Sequence, residues 1–302
     1  MTSSIETINL TKTYRGQNPH TARPALDGVT FDVQPGEIAA VLGLNGAGKS
    51  TLMKILLDLV RPTSGKVFLF GKPVQSKAWK QSVGYLPESF HSPPAFTAER
   101  LLRYLGQLSG MRDKRLADRI SDVLENVGLT ENRSRRVGTF SKGMVTSLGI
   151  AQALLHEPQL VFLDEPTEGL DPAARKRVRG FLHDLRAGGA SILVNSHVLS
   201  EIEFVADRII ILHKGRIAAN GTLADLLPRG HSLEVEISSD PGSIGQWKFR
   251  AEGPSWICEV AGMEELHRLL ADLNTRSISI SSVKPKRITL EDVFFTYVGG
   301  EP

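Results

Sequence analysis

Gly43-Leu44-Asn45-Gly46-Ala47-Gly48-Lys49-Ser50 decides the fold. The run fits G-x-x-x-x-G-K-[ST] in full, and it has the strand before and the helix after that the pattern needs. Residues 37–42, Glu-Ile-Ala-Ala-Val-Leu, are a short apolar run that reads as a buried strand. From 48 to 60 the pattern turns helical, and Pro62 stops it. Glycines let the backbone curl so that its N–H groups point inward around phosphate oxygens. The helix starting near Lys49 adds its positive N-terminal end. Lys49 would neutralise the β- and γ-phosphates, and the Ser50 hydroxyl would ligate Mg²⁺. The candidate nucleotide contacts here are Gly43, Leu44, Asn45, Gly46, Ala47, Gly48, Lys49, Ser50 and Thr51. The loop says nucleoside triphosphate without choosing the base. The chain has no Asn-Lys-x-Asp tetrapeptide for guanine, which favours adenine.

Further along, Leu160-Val161-Phe162-Leu163 ends in Asp164-Glu165. A buried strand would deliver Asp164 to the mouth of the sheet, where it can hold Mg²⁺. Glu165, one residue on, could polarise an attacking water. An acidic loop after a core strand is common, so the pair does not decide the chemistry by itself. Gly169-Leu170-Asp171-Pro172 follows at once, and Asn195-Ser196-His197 closes the next apolar strand, 191–194. Phe140-Ser141-Lys142-Gly143-Met144 precedes a helix that runs up to Pro158. A lone histidine after a strand is more often structural than catalytic; it is the order of these features that singles out His197.

Residues 65–70 read as another strand, and 95–108 and 114–127 as helices with Leu and Ile at three- and four-residue spacing. A helix around 176–186 precedes the strand at 191–194, and 209–212 with 216–219 reads as a hairpin around Lys214-Gly215. Strands alternating with helices predict an α/β domain with a largely parallel sheet. Residues 228–230, Pro-Arg-Gly, read as a linker. Beyond it, 232–238 and 256–260 alternate as strands, 263–273 is a helix with Leu266, Leu269, Leu270 and Leu273 on one face, and a strand at 277–283 and a short helix at 290–297 follow. This predicts a separate small α+β domain. The tail shows no catalytic constellation: Cys258 is expected in its core and His267 on a solvated helix face.

The chain of 302 residues has room for one large domain or two smaller ones. Its 36 Lys and Arg against 33 Asp and Glu leave a net charge of only +3, with basic clusters confined to 133–136 and 175–179. Nothing in that balance calls for nucleic acid. One cysteine excludes an internal disulfide or a cysteine-based metal site and fits a reducing compartment. Residues 1–10 lack the pattern of a signal peptide, and no stretch approaches the ~18 apolar residues needed to span a bilayer. The expectation is a soluble chain whose membrane role, if any, runs through a partner.

From about Ile5 to Thr222 the sequence resembles the ABC ATPase family, a P-loop NTPase fold with an inserted helical subdomain. On that resemblance Gly43 to Ser50 is the Walker A loop, Leu160 to Asp164 Walker B, Glu165 the catalytic glutamate, Asp171 the D-loop aspartate and His197 the switch histidine. Tyr14 takes the place of the aromatic that stacks on adenine, Val83 to Glu88 that of the Q-loop, and Phe140 to Met144 that of the signature. The Q-loop position is Glu88 where the family has glutamine. Glutamate can still reach Mg²⁺ but adds a charge. The signature reads Ser-Lys-Gly-Met where Ser-Gly-Gly-Gln is commonest. Ser141 and Gly143, whose hydroxyl and backbone would face phosphate, are kept. Leu-Pro-Glu, Ser-Lys-Gly-Met and a tail ending Leu290-Glu291-Asp292-Val293-Phe294 together look like the ATPase subunits of type-2 ABC exporters.

The resemblance implies an ATP-hydrolysing motor subunit of an ABC-type membrane transporter. Its cofactors would be ATP and Mg²⁺, with Lys49, Glu165 and His197 catalytic and Ser50, Glu88 and Asp164 holding the metal. Tyr14, Glu88, Ser141, Gly143 and Asp171 would add nucleotide contacts. Residues 1–222 would form the nucleotide-binding domain, with a helical subdomain at about 89–143, and 223–302 an accessory C-terminal domain. Two nucleotide-binding subunits would clamp two ATP molecules as a homodimer or pseudo-dimer, peripheral to the cytoplasmic face and docked on transmembrane permease subunits of separate chains. The alternative is a soluble ABC ATPase acting as a regulatory or assembly factor. Chromosome-maintenance, zinc-bearing repair and twin-cassette translation members are disfavoured by the short path from Lys49 to Asp164, the single cysteine and the single copy of each motif.

Overall fold

The computed structural model describes residues 2–14, 23–226, 232–285 and 289–299; the segment expected as a linker, 228–230, lies outside them. In chain order the elements are β1 (Ile5–Lys12), β2 (Leu26–Val33), β3 (Ile38–Leu42), α1 (Lys49–Leu56), β4 (Ser64–Leu69), β5 (Lys72–Pro73), β6 (Val83–Leu86), α2 (Ala98–Leu108), α3 (Asp113–Asn126), α4 (Lys142–Leu154), β7 (Leu160–Asp164), α5 (Pro172–Ala187), β8 (Ser191–Asn195), α6 (Leu199–Ile202), β9 (Arg208–His213), β10 (Arg216–Gly221), α7 (Leu223–Leu226), β11 (Ser232–Ile237), β12 (Phe249–Glu252), β13 (Ser255–Ala261), α8 (Gly262–Thr275), β14 (Ile280–Pro285) and α9 (Leu290–Val298).

Strands β3, β7 and β8 are buried at every residue, as strands covered on both faces must be. They form the centre of a sheet of order β10-β9-β3-β8-β7-β6, parallel throughout except for the β9–β10 hairpin. This is the expected α/β architecture. A second sheet, order β2-β1-β4-β5, is antiparallel. One core cluster takes in Ile5, Phe31 and Leu69 from this sheet, Leu52, Met53, Ile55 and Leu56 from α1, and Val41, Phe162 and Leu193 from the parallel sheet. The four α1 side chains are worth about 1.5–3 kcal/mol each when fully buried, enough to fix the helix behind the phosphate loop. Helix α1 stops at Leu56, short of the expected 60, because Asp58 turns left-handed at φ 54°.

Helices α2 and α3 are inserted between β6 and β7 and pack with α4. Thr97 caps α2 by accepting from the Arg100 N–H at 3.2 Å.

The described residues up to Leu226, with those from Phe294 on, form one compact unit, and those from 232 to Val293 a second. The sequence places the division at 222/223 and keeps 223–302 together. In the structure α7 packs on β10 and goes with the first unit. The second unit is an antiparallel sheet of order β12-β13-β11-β14 with α8 against one face. Val235, Ile237, Cys258 and Val260 meet Leu266, Leu269 and Leu273 there. Burial pushes the Cys258 thiol above its ordinary value, as befits a core residue.

Candidate active site

The parallel ladder brings four strand ends together. Leu42 leads into the glycine-rich loop, Leu86 into Pro87-Glu88, and Asp164 and Asn195 end their strands as direct register partners. Val41 also pairs with Asn195, and Leu86 with Leu163. The carboxyl ends of parallel strands are where open α/β sheets bind ligands.

Two glycines of the loop are required by close approach. A Cβ on Gly43 would lie 2.4 Å from the Leu212 carbonyl oxygen, and one on Gly48 2.4 Å from that of Ala25. Gly48 also adopts φ 111° as it starts α1. Gly46, at φ 80°, has open space around its missing Cβ. The first N–H groups of α1, which follows the loop directly, have no intrahelical partner. The Lys49 ammonium bridges the loop's mouth, donating to the carbonyl oxygens of Gly43 at 2.5 Å and Leu44 at 3.5 Å. Burial pulls Lys49 below the ordinary lysine range, while the charges of Glu165, Asp164 and Glu88 work against that. Tyr14 lies exposed beside this helix, its hydroxyl 3.3 Å from Thr51 Oγ1 and Lys12 Nζ 5.0 Å from its ring centre.

Asp164 is 7% exposed, and burial raises its carboxyl above the ordinary value. A hydrogen bond from Asn195 Nδ2, 2.5 Å to Oδ1, counters this; Glu88 and Glu165 add to the rise. Glu165 is 9% exposed and left-handed at φ 52°, a conformation that costs of order 1–3 kcal/mol and clusters at functional sites. Three donors hold its carboxylate. Ser196 Oγ at 3.1 Å and the His197 N–H at 3.3 Å reach Oε2, and His197 Nδ1 lies 2.8 Å from Oε1. An ionised carboxylate only accepts, so Nδ1 carries the ring proton. Glu88 is exposed, and its charge is felt by Lys49, Asp164 and Tyr85.

The donor set suits Mg²⁺. A hydroxyl at Ser50 and carboxylates at Asp164 and Glu88 are the hard oxygens it takes, and it usually binds through one or two protein groups with substrate phosphates.

Ser141, Gly143 and Asp171 form a second cluster. Ser141 Oγ caps α4, accepting from the Met144 N–H at 3.2 Å, and Asp171 caps α5, accepting from the Ala174 N–H at 2.8 Å. Gly143 packs its α-carbon on the 169–170 loop, where an added Cβ would sit 3.0 Å from the Gly169 oxygen. Lys142 Nζ is 2.6 Å from Glu168 Oε1. Among the described residues no hydrogen bond or ion pair joins these residues to Lys49, Asp164 or Glu165. Sequence reasoning missed Asn195 and Ser196 as site residues. Their signal was two buried polar residues closing an otherwise apolar strand just before His197.

Residues 26–168 match the family described as ABC transporter. The bacitracin transport ATP-binding protein BcrA of Bacillus licheniformis is 32% identical, over 99% of each chain. The Nod factor export ATP-binding protein I of Rhizobium etli is 31% identical, over 99% of this chain and 94% of that one. A solved ATP-binding subunit of an ABC transporter is 34% identical with a TM-score of 0.68, covering 74% of this chain and 92% of its own.

Proposed function

The chain belongs to the ABC transporter family, as an ATP-hydrolysing motor subunit, and on that premise we propose how its residues serve export through separate permease chains. One observation carries the chemistry: Asp164 and Glu165 sit side by side at the strand ends opposite Lys49, and Glu165 is held by Ser196 and His197. The loop N–H groups and Lys49 bind the triphosphate. Ser50, Asp164 and Glu88 hold Mg²⁺, which supplies charge neutralisation when bound. Glu165 orients the attacking water and takes its proton. His197 stabilises charge on the transferring phosphoryl group. The exposed face of Tyr14 stacks on adenine.

By function we assign 1–222 to nucleotide binding, with a helical subdomain at about 89–143, and 223–302 to an accessory role, although α7 and the described residues from Phe294 on pack within the first unit. Ser141 and Gly143 act on the nucleotide of a second copy, so the active form is a two-fold pair, with Asp171 at the joint. The permease docks in a groove of about 720 Å³ lined by Tyr85, Phe90, His91, Leu108 and His156 among others. Glu88, next in the chain to the groove residue Pro87, passes the motion on. Among the described residues no helix is long and apolar enough to cross a membrane; attachment to the cytoplasmic face runs through the permease. Export finds support in the subgroup strings and in the relative named for Nod factor export.

The test is a pull-down of tagged Glu165→Gln protein from detergent-solubilised membranes with MgATP. Recovery of a multi-spanning protein is expected. Recovery of ribosomes, DNA-bound proteins or nothing would favour the soluble regulatory alternative.

A further inference from the structure

Strand β8 is apolar within and ends in Asn195. The residue is 3% exposed, and among the described residues its side chain makes one hydrogen bond, from Nδ2 to Asp164 Oδ1 at 2.5 Å. Its main-chain oxygen accepts the Glu165 N–H at 2.8 Å. Among the described residues its Oδ1 is buried with no hydrogen-bond partner, a condition that native structures rarely leave without a reason. The amide presents Nδ2 to the Asp164 carboxyl oxygen, which accepts, and so turns Oδ1 away from it.

Asp164 is surrounded by charge of its own sign. Two further acids, Glu88 and Glu165, act on it beside the single ammonium of Lys49. A neutral donor is therefore what the strand end can add to fix the aspartate without a second ammonium to compete with Lys49. The same amide keeps a free acceptor beside the carboxylate. Mg²⁺ dehydrates reluctantly and keeps several waters, and such waters need acceptors.

Resting on the placement of Mg²⁺ at Asp164 above, we propose that Asn195 is a positioning residue for the metal site: Nδ2 fixes the Asp164 carboxylate, and Oδ1 accepts a hydrogen bond from water there. Partners of metal ligands in this outer position typically cost 10–100-fold in metal affinity when removed. A merely structural amide would tie β7 to β8 and have no preference for the metal.

The experiment uses the full chain and a fluorescent methylanthraniloyl ADP, bound once in EDTA and once across a Mg²⁺ titration. With Asn195→Leu, near in volume but without donor or acceptor, the half-saturating Mg²⁺ should rise about 10- to 100-fold. Affinity in EDTA should change less than about twofold. Asn195→Ala removes donor and acceptor without added bulk and should raise the Mg²⁺ requirement in the same way; it serves if the leucine variant does not fold. Equal losses with and without Mg²⁺, or no change in either, would overturn the proposal. Asp164→Asn separates the two levels. If it keeps the wild-type Mg²⁺ requirement, the placement of the metal fails; if it loses Mg²⁺ dependence while the Asn195 variants do not, only the role of Asn195 fails.

Discussion

Replacing Glu165 by Gln changes more than the proton acceptor. In the native chain the carboxylate meets three donors, Ser196 Oγ and the His197 N–H at Oε2 and His197 Nδ1 at Oε1. The main-chain N–H cannot change its role, so the glutamine must turn its oxygen toward it. Its NH₂ then faces His197 Nδ1 and needs an acceptor. The neutral ring can meet this by moving its proton from Nδ1 to Nε2. The bonds pass from the charge-assisted class, about 1.5–3 kcal/mol each, to the neutral class, about 0.5–1.5. Relief from holding a buried charge offsets much of that loss. Stability should therefore change by no more than about 2 kcal/mol, while hydrolysis falls roughly 10²–10⁴-fold, the share usual for a positioned general base. Nitrogen-15 NMR of the ring at pH 8 reads the tautomer, urea unfolding the stability and phosphate release the turnover. A ring still protonated at Nδ1 would refute the hydrogen-bond reasoning, and native turnover would refute Glu165 as the base.

Gly48→Ala sets a Cβ 2.4 Å from the Ala25 oxygen at φ 111°, and should lose about 2–5 kcal/mol with nucleotide binding; urea stability within 1 kcal/mol of native, on the order of surface substitutions, would count against the close approach. Glu88→Gln removes one of the three carboxylates acting on Lys49 and should strengthen ADP binding in EDTA by about 5- to 30-fold, the effect of about 1–2 kcal/mol; equal affinity would place Glu88 outside the phosphate field. Burial holds His156 below the ordinary histidine value of 6.5, against the pull of its bond to the Val83 oxygen. As pH falls below 6.5 the unfolded chain takes a proton that the folded chain resists, so stability drops down to the folded value and then levels off. His156→Gln should lack that share of the acid loss between pH 7.5 and 5.5, and an identical pH slope in both proteins would contradict it.

What the sequence shows and hides follows from where each constraint is written. The phosphate loop was legible because left-handed φ and close backbone approach exclude side chains at Gly43 and Gly48. The runs at 38–42, 160–164 and 191–195 were legible because both faces are covered. Of the antiparallel sheet only β4 was, as the strand expected at 65–70. In β1, Asn9 turns left-handed at φ 47° and shifts the register, while Thr7 is buried against the Phe31 backbone. Both break the alternation by which strands are recognised. In β12 only Phe249 is more than exposed edge. The Asp171-Pro172 pair carries a helix-start signal, and its carboxylate is engaged as a cap. The work of Asn195 and Ser196 depends on register with residues 31 positions away, which no local pattern records.

The departures from the family pattern share one electrostatic consequence. Glu88 joins Asp164 and Glu165 around Lys49, so three carboxylates face one ammonium. A triphosphate entering that field alone meets repulsion that the loop N–H groups and one lysine must overcome. A divalent cation entering with it reverses the sign of the interaction with all three acids. On the proposed placement of the metal, the cleft would favour nucleotide with its metal over nucleotide alone. The groups that hold the acids in place fit the same logic, since Asn195 and Ser196 are neutral donors and leave the field unchanged. Lys142, the extra cation of the signature, is neutralised by Glu168 within the same chain. In the proposed two-fold pair its charge would become available to a second copy's nucleotide only where that exposed pair opens, and such pairs are held by no more than about 1 kcal/mol.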